Sequence, residues 1–105
     1  MNVVKFANMK ARLITRYRNV SADGTGAEFV VWRVPEPVPP SEHSYKYRLV
    51  YLEHGQRVIG FDNERGKGDH KHVGDAETVY TFITVDRLLD DFFAEVEQWK
   101  TRTTR

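Results

Sequence analysis

The chain has no cysteine, and this one absence removes disulfide frameworks, thiolate nucleophiles and cysteine-based zinc sites together. No run approaches the ~20 consecutive apolar residues that span a bilayer. The first residues also lack the apolar core of a secretory leader, so the chain reads as soluble and cytoplasmic, with no membrane contact. A strong net charge is missing too. Sixteen Lys+Arg against fifteen Asp+Glu leave +1, which excludes a generic polyanion binder. The charge is unevenly placed, however: residues 1–53 carry eight basic and five acidic side chains, and residues 54–105 carry eight and ten. A positive face can therefore exist on a near-neutral molecule. No internal repeat or low-complexity tract interrupts the chain.

What is present suffices for one modest core: 40% apolar residues, 12% aromatic, over 105 residues. One domain over 1–105 is expected, with a loosely tied or short helical start at 1–9 and a frayed basic tail at 101–105. Lys10–Arg18 alternates as a strand, sending Arg12, Ile14, Arg16 and Arg18 one way and Leu13, Thr15 and Tyr17 the other. Ser21–Gly26 reads as a hairpin connection. The β-branched and aromatic run Glu28–Val34 suggests a strand buried on both faces. All four prolines then fall at 35, 37, 39 and 40 and predict a stiff crossover loop. Tyr45–Leu52 alternates again, with Tyr45, Tyr47, Leu49 and Tyr51 on one side. His54-Gly55 suits a tight turn into a strand over Gln56–Asp62. Gly66–Asp75 is read as too polar for regular structure, and Thr78–Phe82 as a short fifth strand. Val85, Leu88, Leu89, Phe92, Val96 and Trp99 recur at helical spacing behind a Thr84 N-cap. The expectation is an α+β domain: an antiparallel sheet of four to five strands covered on one face by a C-terminal amphipathic helix.

Chemistry concentrates in Asp62-Asn63-Glu64 and Gly66-Lys-Gly-Asp-His-Lys-His72. Two imidazoles that titrate near neutrality, beside cations, are what cleavage of RNA by its own 2′-oxygen needs. His70 and His72 are the candidate base and acid, Arg48 and Lys67 candidate phosphorane stabilisers, and Asp62 a candidate for orienting an imidazole. Gly66 and Gly68 free backbone amides to approach a phosphate. Against this stands the plainer reading of exposed loop histidines with solvated neighbours, and of an Asx turn at Asp62-Asn63. Asp69, His70 and His72, completed by Asp62 or Asp75, also make a mixed nitrogen and oxygen ligand set. Lys67 and Lys71 would repel a cation there, so neither metal nor cofactor is expected. A basic face of Arg12, Arg16, Arg18, Arg33, Lys46 and Arg48 could track a nucleic-acid backbone, with Tyr45, Tyr47 and Tyr51 as stacking surfaces; a solvated sheet face and a half-buried tyrosine row explain the same residues.

The runs Trp32-Arg-Val-Pro-Glu-Pro-Val-Pro, His43-Ser-Tyr-Lys-Tyr-Arg-Leu-Val-Tyr, Phe61-Asp-Asn-Glu-Arg-Gly-Lys-Gly-Asp-His-Lys-His and Tyr80-Thr-Phe before a Leu-Leu-Asp-Asp-Phe helix, in this order, resemble the TumE family of toxin components over about residues 10–99. The resemblance implies a toxin encoded beside a helix-turn-helix antitoxin and acting on RNA or translation. It implies site positions at Tyr45, Lys46, Tyr47, Arg48, Asp62, Asn63, Lys67, Asp69, His70, Lys71 and His72. The leading expectation is thus a type II toxin, a metal-independent endoribonuclease using His70 and His72, with RNA and the antitoxin as partners and Lys46, Lys71, Arg16, Arg12, Tyr45 and Tyr47 contacting RNA. The alternatives are a non-enzymatic module that docks a partner or nucleic acid on its basic face, and a metal-dependent phosphodiesterase.

Overall fold

The computed structural model describes residues 10–103; the start expected over 1–9 and the last two residues of the tail lie outside them. Six strands lie side by side in chain order in one antiparallel sheet. They are β1 (Arg12–Val20), β2 (Gly26–Arg33), β3 (Tyr45–Glu53), β4 (Gln56–Glu64), β5 (Gly68–Val73) and β6 (Ala76–Val79), followed by helix α1 (Val85–Thr103). The α+β class holds, but six strands replace the expected four to five. The added strand is β5, in the segment read as too polar for regular structure. Its backbone is laddered on both sides, to β4 and to β6, so side-chain polarity alone did not decide its conformation. β6 accordingly begins two residues earlier than expected. α1 runs on through residues 101–103.

Short turns set the registers. His54 and Gly55 both take positive φ, 52° and 80°, which a two-residue type I′ hairpin demands. Gly74 (φ 60°) opens the two-residue turn between β5 and β6. An added Cβ there would meet the Trp99 ring at 3.3 Å, so the missing side chain also makes room for the helix. Between Leu13 and Thr15 the β1–β2 register shifts by a bulge, and this corrects the expected basic face. Arg12 pairs with Arg33 whereas Arg16 pairs with Val30, so Arg12 and Arg33 sit on the opposite side of the sheet from Arg16, Arg18, Lys46 and Arg48. An extra residue in one strand reverses the alternation beyond it.

The core lies on one side of the sheet, where Val31, Tyr47, Leu49, Tyr51, Ile59 and Phe61 are buried together with Leu88, Phe92 and Val96 of α1. Thr84 caps the helix as expected, its Oγ1 accepting from the Arg87 N–H at 3.0 Å. Phe92 meets Phe29 and Phe61 edge-on at 6.3 and 5.9 Å, and Lys71 Nζ reaches Glu95 Oε2 at 2.5 Å. Among the described residues no helix is long and apolar enough to cross a membrane.

Phe92, in the apolar stripe, is fully buried, and Phe93, which falls beside the stripe in sequence, is 43% exposed. Phe92→Ala is expected to destabilise the fold by about 3–5 kcal/mol, and Phe93→Ala by well under half of that. Urea unfolding midpoints of the two variants check the order.

Candidate functional site

Successive side chains of a strand point to opposite faces, and β5 therefore divides the chemical segment in two. His70 pairs across to Asp62 on β4 and Val79 on β6, and His72 to Gly60 and Glu77. These residues share the face away from the core. Their neighbours pair in the same way: Lys71 opposes Phe61, and Asp69 opposes Asn63, on the face that meets α1.

On the outer face the two imidazole centroids are 5.1 Å apart and nearly perpendicular. The His70 side chain is only 6% exposed. Its Nδ1 lies 3.0 Å from the Gly68 carbonyl, an acceptor only, so Nδ1 carries a hydrogen and donates it. Its Nε2 lies 2.9 Å from Asp62 Oδ1 and 3.3 Å from Glu77 Oε2. Close as it is, the Asp62 contact is off-line, because Oδ1 is buried without an aligned hydrogen-bond donor. His72 is more open, with Nε2 3.8 Å from Glu77 Oε2. Burial, and after it the charge of Arg57, holds the His72 imidazole below its ordinary pKa, with Glu77 and Asp62 pulling the other way. Gly60, opposite His72, leaves room for Arg57, whose Cδ stands 2.9 Å from where a Cβ would be. Lys67 reaches Glu77 at 3.5 Å from solvent, and exposed Arg48 faces Asp62 across the β3–β4 ladder.

The core-side face holds a different network, centred on Asp69. Its Oδ1 accepts from the Ser41 hydroxyl; its Oδ2 accepts from Tyr47 OH at 2.7 Å and from His43 Nε2 at 2.6 Å. His43 Nδ1 accepts from the Tyr45 N–H at 3.2 Å, so Nε2 is the protonated nitrogen and both ring nitrogens are engaged. Phe82 stacks on the His43 ring at 3.9 Å. Burial, with the hydrogen bond to Asp69, drives the Tyr47 phenol far above its usual pKa. Asn63, fully buried, acts as a piece of ladder where β3 and β4 part: its Oδ1 accepts from Tyr47 N at 3.0 Å and its Nδ2 donates to Tyr45 O at 2.7 Å. Lys46 Nζ donates to the Asn63 carbonyl. Ser41, His43, Tyr47, Asn63 and Asp69 are thus hydrogen-bonded to one another or to nearby backbone.

The residues expected at one site thus separate. Asp62, His70 and His72 come together, with Lys67 and Arg48 beside them. Asp69, Lys71, Tyr45, Tyr47 and Asn63 lie on the core side, Lys71 bound to Glu95 and Tyr45 stacked on Phe82. Arg16 and Lys46 share the outer face and Arg12 does not. Sequence reasoning missed Glu77, Arg57, Ser41 and His43. Reading Gly74-Asp75 as a hairpin turn would have placed Glu77 opposite His72. Ser41 and His43 arrive only through the proline loop, docked where Gly66 N–H bonds to the Pro39 carbonyl at 2.9 Å.

Asp69→Ala leaves the buried Tyr47 hydroxyl and His43 without their shared acceptor and is expected to cost about 3 kcal/mol. Chemical denaturation measures the loss; a variant as stable as the parent would make Asp69 a functional rather than a structural carboxylate.

A family model described as Toxin TumE matches residues 5–100, nearly the whole chain. No curated protein and no solved structure matches it. The family match spans both faces of the sheet and the helix together, and the chain belongs to the TumE family of toxins.

Proposed function

We propose that this toxin acts on RNA as an endoribonuclease whose reaction centre is the outer face of β4, β5 and β6. The observation that carries the reading is the pairing of His70 with His72 on one face, beside Asp62 and within reach of cationic side chains. His72, the more accessible imidazole, takes the proton of the attacking 2′-hydroxyl. His70, its ring held through Nδ1 by the Gly68 carbonyl and set between Asp62 and Glu77, returns a proton from Nε2 to the leaving 5′-oxygen. Arg48, Lys67 and Arg57 supply positive charge for the phosphorane. The reaction so written needs only side chains. Arg16, Arg18, Lys46 and Arg48 continue the same face toward β1 and would follow the phosphate backbone. Lys71 is left out of this set, because it lies on the core side and pairs there with Glu95.

Membership of a toxin family implies an antitoxin partner in general. We take it to be a helix-turn-helix protein of a type II module that neutralises the toxin in the cytoplasm by covering the arginine-bearing face with acidic side chains.

His72→Ala is expected to lower RNA cleavage by about 10²–10⁴-fold, the usual contribution of a general acid or base, and the His70→Ala, His72→Ala double variant to abolish growth arrest. Cleavage of purified RNA and colony formation under induction measure the two effects. Cleavage at the parental rate in the double variant would leave the outer face as a binding surface, the role of a non-enzymatic module.

A further inference from the structure

We infer that Asp62, His70, His72 and Glu77 form a binding site for a zinc-class divalent ion. One ligand-capable atom from each of Asp62, His70 and His72 lies within 4.8 Å of the others. Glu77 Oε2 joins them at 3.3 Å from His70 Nε2 and 3.8 Å from His72 Nε2. Tetrahedral ligands at zinc's ~2.0–2.1 Å stand roughly 3.3 Å apart, so the Asp62, His70 and His72 atoms draw in from within 4.8 Å of one another, with Glu77 Oε2 at the edge of the set as the fourth ligand.

Two further features point to a cation rather than to mutual pairing. His70 donates Nδ1–H to the Gly68 carbonyl, the arrangement that fixes the tautomer of a metal-binding imidazole and leaves the Nε2 lone pair for the ion. Asp62 Oδ1 is buried 2.9 Å from that Nε2 but has no aligned donor. A proton on the ring, held in its plane, does not satisfy this oxygen; an ion among the four atoms does. Nitrogen with carboxylate oxygen in a compact set suits zinc-class ions better than magnesium or calcium.

In the sequence, Lys67 and Lys71 stand against a metal. Lys71 points to the other face and pairs with Glu95. Lys67 touches only the Glu77 edge at 3.5 Å, from an exposed position, and Arg57 is likewise exposed. Neither occupies the centre of the cluster.

The effect on activity, unlike the binding itself, rests on the proposed proton-transfer chemistry: an ion on both Nε2 atoms takes the lone pairs that move protons, so zinc suppresses RNA cleavage and a chelator restores it. The test is titration of the purified full chain with Zn²⁺ by calorimetry, and with Co²⁺ by visible absorption. One equivalent is expected to bind, with tetrahedral Co²⁺ bands. Asp62→Asn and His72→Gln should each weaken binding by more than about 10-fold, while His54→Gln, on the β3–β4 turn, changes nothing; far-UV circular dichroism confirms that each variant is folded. No binding, or equal affinity in both site variants, overturns the site. Binding that stimulates cleavage keeps the site and overturns the metal-free mechanism instead, and binding by a protein that cleaves no RNA keeps the site and removes the nuclease reading.

Discussion

The two-residue period of β5 is the constraint on which the rest of the molecule depends. Because the strand is laddered between β4 and β6, four consecutive chemical residues, Asp69 to His72, cannot share one site. Asp69 and Lys71 are turned toward the core and α1, and His70 and His72 toward the opposite face, where His70 is itself buried. A one-residue slip would exchange these roles and bury the histidines against Phe61. Register therefore decides which side chains share a face, and the turns that pin it are those at Gly66 (φ 88°) before β5 and Gly74 (φ 60°) after it.

The two faces solve opposite electrostatic problems. On the core side, one carboxylate accepts three hydrogen bonds from Ser41, Tyr47 and His43, so a buried charge is stabilised by donors aimed at it. The network ties the proline loop, β3 and β5 to one another. On the outer side, three groups able to act as bases, Asp62, His70 and His72, crowd together, with their positive neighbours at the rim. A saturated network holds shape, whereas one with lone pairs in excess has acceptors left over for a donor.

Much of this was legible in the residues. The helix showed itself through the spacing of Val85, Leu88, Phe92, Val96 and Trp99 and through Thr84, because a 3.6-residue stripe and a cap are local features. The tyrosine row of β3 and the His54-Gly55 turn were equally local. The bulge near Ile14 was not, since it depends on how β1 meets β2, and it moved Arg12 off the basic face. β5 was hidden because its polarity resembles a loop; its partners lie on other strands, with Asp62 and Glu77 on one face and Glu95 of α1 on the other. His43 drew attention only as part of a motif, and its link to Asp69 spans 26 positions.

By itself, the chain's composition and periodicity determined an α+β domain without thiol chemistry, a capped C-terminal helix, and a pair of histidines two residues apart whose rings had to share a side if the segment was extended. Spacing within a segment is dictated by backbone geometry, so such facts need no partner. Which carboxylates meet those rings, which lysine is turned away, and that Asp69 lies on the core side were decided only by tertiary structure, because each follows from the alignment of strands and a helix far apart in the chain.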